Sequence, residues 1–243
     1  MTITESTAIG DIAAAIPSSV RVFQRQGIDF CCGGKRTLAT VCTERGLSFG
    51  ETVTAIEASA STAADSRDWS KEPLGALIDH IVATYHDPLR EELPRLQRMA
   101  EKVAEVHGTK AAYLGQVADI VDALSADLLT HMRKEEAILF PAIRAIEKGH
   151  ACDAAWVVAP ISVMERDHEQ AGALLSDLHR LTGGYGSPAW GCATLRALYQ
   201  GLEEFERSMH VHVHLENNVL FPRAVELESE IQRKAQAPCR GPR

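Results

Sequence analysis

Apolar residues recur at steps of three and four along four stretches of the chain, near 72–107, 110–148, 156–182 and 189–231. That spacing predicts four long amphipathic α-helices. Short polar or glycine-bearing connections, "EVHGTK", "EKGHACD" and "TGGYGSPAWG", join them, so neighbours are expected to run antiparallel in an up-down four-helix bundle. Ahead of the bundle, residues 8–58 break into shorter helical pieces around a turn at "IDFCCGGK". Strand-like runs of Val, Ile, Thr and Tyr are scarce, and the fold class read from the pattern is all-α. The stretch "ASASTAADSRD" reads as linker, and the expected organisation is a small helical domain over 1–59, a linker over 60–71, the bundle over 72–231 and a tail over 232–243. Pro88 and Pro94 fall inside the first long segment, where a proline removes a backbone hydrogen bond and predicts a kink or a break.

The apolar stripes are interrupted at a few positions. Leu124, Leu128, His131, Glu135 and Leu139 share one helix face within "HMRKEEAILFP" and the turns before it. His131 and Glu135, four residues apart, differ by about 40° around the helix and roughly 6 Å along it, so their heads can meet. A lone buried carboxylate costs several kcal/mol, and Glu135 therefore requires a positive partner.

The segment "HVHLENNVLFP", from His212, repeats the pattern: His, Glu and Leu-Phe-Pro occur at the same offsets in both copies. His86 precedes His131 by 45 residues and His168 precedes His212 by 44, so the bundle reads as two similar helical hairpins. His86 is in register with Ile78, Val82, Leu89 and Leu93, and His168 with Ile161, Met164, Ala171 and Leu175. One histidine on an apolar face is more often a satisfied core residue than a ligand. Six residues in two matching sets reverse that weighing, and a pair of metal ions is the physical solution for four imidazoles and two carboxylates inside a bundle. The expected metal ligands are His86, His131, Glu135, His168, His212 and Glu216. Open coordination positions on such a set favour non-haem iron, with zinc and manganese as lesser alternatives.

Other histidines take different readings. His210 and His214 lie about 200° around the helix from His212, and are expected to face solvent. His80, His107, His150 and His179 have no partner pattern. The acidic neighbours Glu136, Glu165, Asp87 and Asp167 are expected on the flanks, where a carboxylate can orient an imidazole ring.

Charge and cysteine usage narrow the setting. The net charge of −8 and the lack of a basic stripe argue against nucleic acid or an anionic membrane surface as partner. The stretch "MTITESTAIGDIAAAIPSS" has no positively charged region ahead of an apolar segment and no run approaches the length of a membrane span, so a cytoplasmic location is expected. Six cysteines in such a chain read as reduced thiols. Cys42, Cys152, Cys192 and Cys239 are taken as packing or surface residues. Cys31 and Cys32, before two glycines and near Lys35 and Arg36, are expected at a helix N-terminus with lowered pKa values, as redox or iron-transfer thiols or as plain packing residues.

The stretches "DFCCGGKRTL", "IDHIVATYHD", "HMRKEEAILFP", "PISVMERDHEQAG" and "HVHLENNVLFPRA" together resemble the Repair of Iron Centres family. The resemblance spans nearly the whole chain and implies a hemerythrin-like bundle with a non-haem di-iron centre, bridged by carboxylates and a solvent-derived oxygen. On it, the ligand histidines fall on His86, His131, His168 and His212, the bridging carboxylates on Glu135 and Glu216, and the cysteine pair on Cys31 and Cys32. It implies repair of iron–sulfur clusters damaged by nitrosative or oxidative stress, by iron donation, by nitric oxide reduction, or both. Nitric oxide or reactive oxygen species would be the small ligands and iron–sulfur proteins the clients, with a homodimer compatible. A di-iron nitric oxide or oxygen sensor regulated through the N-terminal domain is the alternative. Oxygen-carrying hemerythrins use one more histidine than this set provides.

Overall fold

The structure is a computed structural model that describes residues 1–62, 67–149 and 156–236. The "APCRGPR" tail, Cys152, Cys239 and His150 lie outside them. Among the described residues there is no strand, only a single antiparallel bridge between Ala8 and Thr37, and no helix is long and apolar enough to cross a membrane.

Four helices form the N-terminal unit: α1 (Ile9–Ala15), α2 (Ser19–Gln26), α3 (Leu38–Arg45) and α4 (Phe49–Thr62). Gly27 and Gly46 end α2 and α3 in left-handed conformation, where a missing Cβ removes the steric penalty. α4 runs helically to Thr62, into the stretch expected as linker. Phe23, Phe30, Ile12, Leu38 and Ile56 fill this unit's own apolar core, and Val211 of the bundle packs against it.

Three of the four long segments contain a π turn. The first comprises α5 (Leu74–Ile81), a π turn (Val82–His86) and α6 (Asp87–His107). The second comprises α7 (Tyr113–Lys134), a π turn (Glu135–Leu139) and α8 (Phe140–Glu147). The third is the uninterrupted α9 (Val158–Leu181). The fourth comprises α10 (Ala193–Leu215), a π turn (Glu216–Leu220) and α11 (Phe221–Gln236). Each π turn is followed two residues later by a proline, Pro88, Pro141 or Pro222. Proline cannot donate to the carbonyl four residues back and its ring crowds it, and the wider i→i+5 hydrogen bonding of the π turn accommodates both defects. The break expected near Pro88 is therefore a π turn, whereas Pro94 lies within α6.

Cross-helix contacts set the directions. Gln97 bonds Ser125 and Asp122, while His86 and Arg90, earlier on the first segment, meet Glu136, later on the second. Gln170 pairs with Asp127 and Asp167 with Lys134, and His168 meets Asn217 while His179 meets Glu206. Consecutive segments are thus antiparallel, as the short connections require. One apolar layer, with Leu96, Val121, Leu124, Leu178, Leu198 and Leu202, fills one end of the bundle. A second, with Leu77, Ile81, Ile143, Met164 and Leu220, fills the other. The polar positions that interrupt the stripes lie between these layers.

Candidate metal centre

His86 closes the first π turn, His131 and His212 lie in the last turns of α7 and α10, Glu135 and Glu216 open the second and third π turns, and His168 lies within α9. All six are buried, none more than 3% exposed. Two Nε2 pairs face each other, His86 with His212 at 3.1 Å and His131 with His168 at 3.0 Å. Glu135 Oε2 lies 3.4 Å from Nε2 of both His86 and His131. Glu216 reaches His212 through Oε1 at 3.0 Å and His168 through Oε2 at 3.2 Å. The donors form two groups, His86–His212 and His131–His168, and each includes both Glu135 and Glu216 with ligand atoms within 4.8 Å of one another. Each group takes one histidine from each hairpin, a grouping across the repeat that the sequence echo does not disclose.

The chemistry of this donor set fits a pair of cations. Both carboxylate oxygens of Glu135, and Oε2 of Glu216, have no hydrogen-bond donor, and buried polar groups left so are costly. Burial pulls the imidazoles down, yet the surrounding carboxylates outweigh it. His86 is raised, chiefly by Glu216, and His131 is raised to about 9, chiefly by Glu135. Burial likewise pushes Glu216 up, but His212, His168 and His86 hold it well below the usual carboxylate range. Glu135 and Glu216 thus favour positive charge at the centre. Nitrogen and carboxylate donors without sulfur, with two carboxylates common to both groups, suit a di-iron site.

The imidazoles are held from behind. Glu136 Oε1 lies 2.7 Å from His86 Nδ1, Asp167 Oδ2 lies 3.3 Å from His131 Nδ1, and Asn217 Oδ1 lies 2.8 Å from His168 Nδ1. Glu136 and Asp167 stand where the sequence placed them. Asp87 acts one step further out, binding Arg90, which in turn binds Glu136. Glu165 instead meets Lys35 across 3.6 Å at the surface. Asn217 escaped sequence reasoning, since its only mark in the sequence is adjacency to Glu216. The Leu-Phe-Pro repeat also has a role here, because Phe140 stacks on His86 and Phe221 on His168.

His214 does not face solvent. It is 3% exposed, packs edge-on against Phe30 and bonds Asn218 at 3.1 Å, and burial pushes it down to about 4. His210 is partly buried against the same ring. The outward face of α10 is covered by the N-terminal unit, a contact invisible to a helical wheel.

Cys31 and Cys32 lie in a turn, since α3 begins only at Leu38 with Thr37 as its cap. The Asp29 carboxylate accepts from the backbone N–H of Cys31, Cys32 and Gly33. The neighbouring Cys32 thiol, burial and Asp29 push the Cys31 thiol well up, so the lowered pKa expected for it is overturned. Lys35 and Arg36 bind Glu165 and Glu44 instead. The turn nonetheless touches the centre's surroundings: Cys32 Sγ lies 3.7 Å from the His168 carbonyl, and Asn217 Nδ2 donates to the Cys31 carbonyl. Asp29, Cys31 and Cys32 form the other group among the described residues whose donor atoms could hold a metal. Cys42 is buried. Cys192 caps α10, and the Leu195 N–H and His107 bring its thiol down to about 7.

An all-α bundle with a buried, carboxylate-sharing histidine cluster defines a cation-binding protein of the hemerythrin class. The hemerythrin HHE cation binding domain matches residues 77–224, and the chain belongs to that family. A domain of unknown function, DUF542, matches residues 5–60. Over 90% of its length the chain is 43% identical to iron-sulfur cluster repair protein YtfE of Pectobacterium carotovorum subsp. carotovorum (strain PC1), covering 96% of that protein. Identity is 42% to the protein of the same name from Pectobacterium atrosepticum, and 40% to that of Yersinia pseudotuberculosis serotype O:3 (strain YPIII), at the same coverage. The chain belongs to this family of iron–sulfur cluster repair proteins.

Proposed function

We propose that this protein repairs iron–sulfur clusters damaged by nitrosative or oxidative stress, through a di-iron centre held by His86, His131, Glu135, His168, His212 and Glu216. The observation that carries the reading is the pair of buried donor groups sharing both carboxylates, with three carboxylate oxygens left without donors. The relatives' name, iron-sulfur cluster repair protein, agrees with it. When bound, ferrous ions would supply open coordination positions for nitric oxide or oxygen species and a store of labile iron. The chain's own part is to present four Nε2 donors, fix three rings through their Nδ1 atoms, and exclude bulk water with an apolar layer on each side. Iron–sulfur proteins of the cytoplasm are the clients.

Between iron donation and nitric oxide reduction, the place of the cysteines favours donation, because Cys32 sits against the backbone of ligand residue His168. The sensor reading has no comparable support. Iron per chain in protein purified without oxygen tests the centre: about two irons in the wild type, lost in Glu135→Ala combined with Glu216→Ala. One zinc, or no metal, would overturn it. Cys31→Ser with Cys32→Ser tests the donor role, with the expected result that iron stays bound while repair of a damaged client falls at least tenfold.

A further inference from the structure

Between the N-terminal unit and the bundle lies an open cleft of about 1340 Å³ with Cys31 and Cys32 in its lining. It exceeds the roughly 300–1,000 Å³ usual for sites of drug-sized ligands. Its charges are segregated by wall. On the N-terminal side stand Arg21, Arg25 and Arg45, all exposed and without an acidic partner among the described residues. The one acid on that side, Asp29, is engaged by three backbone N–H groups. On the bundle side stand Glu169, Glu203 and Glu206, with Arg207 paired to Glu203 and His179 Nδ1 3.2 Å from Glu206 Oε2; three carboxylates there outnumber the one arginine. Opposed walls of this kind match a ligand carrying both carboxylates and an ammonium group.

The dithiol adds a third requirement. Asp29, Cys31 and Cys32 offer three donor atoms to one metal ion, and all three residues border the cleft. Thiolate sites for first-row cations commonly complete a tetrahedron with a fourth ligand, and a donor from the cleft side can supply it.

We propose that this cleft binds a small zwitterionic thiol of peptide size, with its carboxylates on Arg21, Arg25 and Arg45, its ammonium on the Glu203–Glu206 wall and its sulfur at Cys31–Cys32. It acts as the acceptor that carries ferrous iron away from the cysteine turn. Coordination forms one iron–sulfur bond and releases the ligand's thiol proton to solvent; as the iron departs, its bonds to Cys31 and Cys32 Sγ break, the two thiolates take up protons from solvent, and the iron stays ferrous, so no oxidant or reductant is needed. The acceptor role rests on the iron-donation reading; the binding of the thiol itself does not.

Reduced glutathione is the probe, titrated calorimetrically into the full-length metal-free protein and again with ferrous iron present. Saturable binding is expected without iron, tightened at least tenfold by iron. S-methylglutathione, with the same charges and no free thiol, should bind the metal-free protein equally and lose the iron-dependent gain. Arg25→Glu with Arg45→Glu should weaken binding at least tenfold while leaving the melting temperature and the iron content of the bundle unchanged. Should that variant unfold, Glu203→Gln with Glu206→Gln is the replacement, expected to weaken glutathione but not citrate. No saturable glutathione binding at millimolar concentration, equal binding of citrate to the wild type, or no gain from iron would overturn the proposal. Iron transfer that needs Cys31 and Cys32 but no glutathione would sink it while leaving the donation reading intact.

Discussion

Glu136 belongs to neither four-residue donor group, yet it holds the ring of His86 and is itself held by Arg90. A charged acceptor behind a ligand imidazole fixes its tautomer and raises its basicity. Glu136→Ala is therefore expected to weaken iron affinity by about 10–100-fold, measured by chelator competition, with the helical content unchanged. His212 has no partner at Nδ1 and instead lies parallel to the Tyr85 ring at 5.1 Å. The six principal residues were legible in the sequence because helical spacing and a repeated motif mark them. Asn217 was not, because an amide beside a ligand carries no periodic signal. His214 was misread because its burial comes from another unit of the chain.

At the scale of elements, the long helices followed from periodicity, and their interruptions did not. A proline in the sequence says that a hydrogen bond is lost; whether the backbone answers with a kink, a stop or a π turn depends on what the following residues must pack against. Three of the four segments answer with a π turn, and two of these open on a carboxylate of the centre. Helix starts depend on distant residues as well. No local side chain caps α5; its Leu74 and Gly75 N–H groups donate to the carboxylate of Glu147, at the end of α8. Glu147→Ala leaves both donors unsatisfied and is expected to lower stability by about 1–2 kcal/mol in urea unfolding, with iron binding retained.

At the scale of the whole molecule, the N-terminal unit is seated on the third π turn. Asn218 Nδ2 donates to the carbonyls of Phe30 and Cys31, and a Cβ on Gly10 or Gly34 would stand 2.4 Å from Asn218 Oδ1. The glycines of the Cys-Cys-Gly-Gly turn are thus required for close approach, since Gly33 and Gly34 do not have positive φ. Gly34→Ala is expected to cost about 1–3 kcal/mol by displacing Asn218. It should also speed alkylation of the buried Cys31, a change readable by mass spectrometry.

The sequence by itself determined the helical class, the bundle and the six residues that interrupt its apolar stripes, because periodicity is local and a polar residue on an oily face is conspicuous. Only the tertiary structure decided how those residues combine. Each donor group draws one histidine from each hairpin, the cysteine turn is pressed against His168, and the outward face of α10 is buried. These are consequences of distant segments meeting, His131 with His168 across 37 residues, His86 with His212 across 126 and Cys32 with His168 across 136, and no local pattern encodes which face meets which.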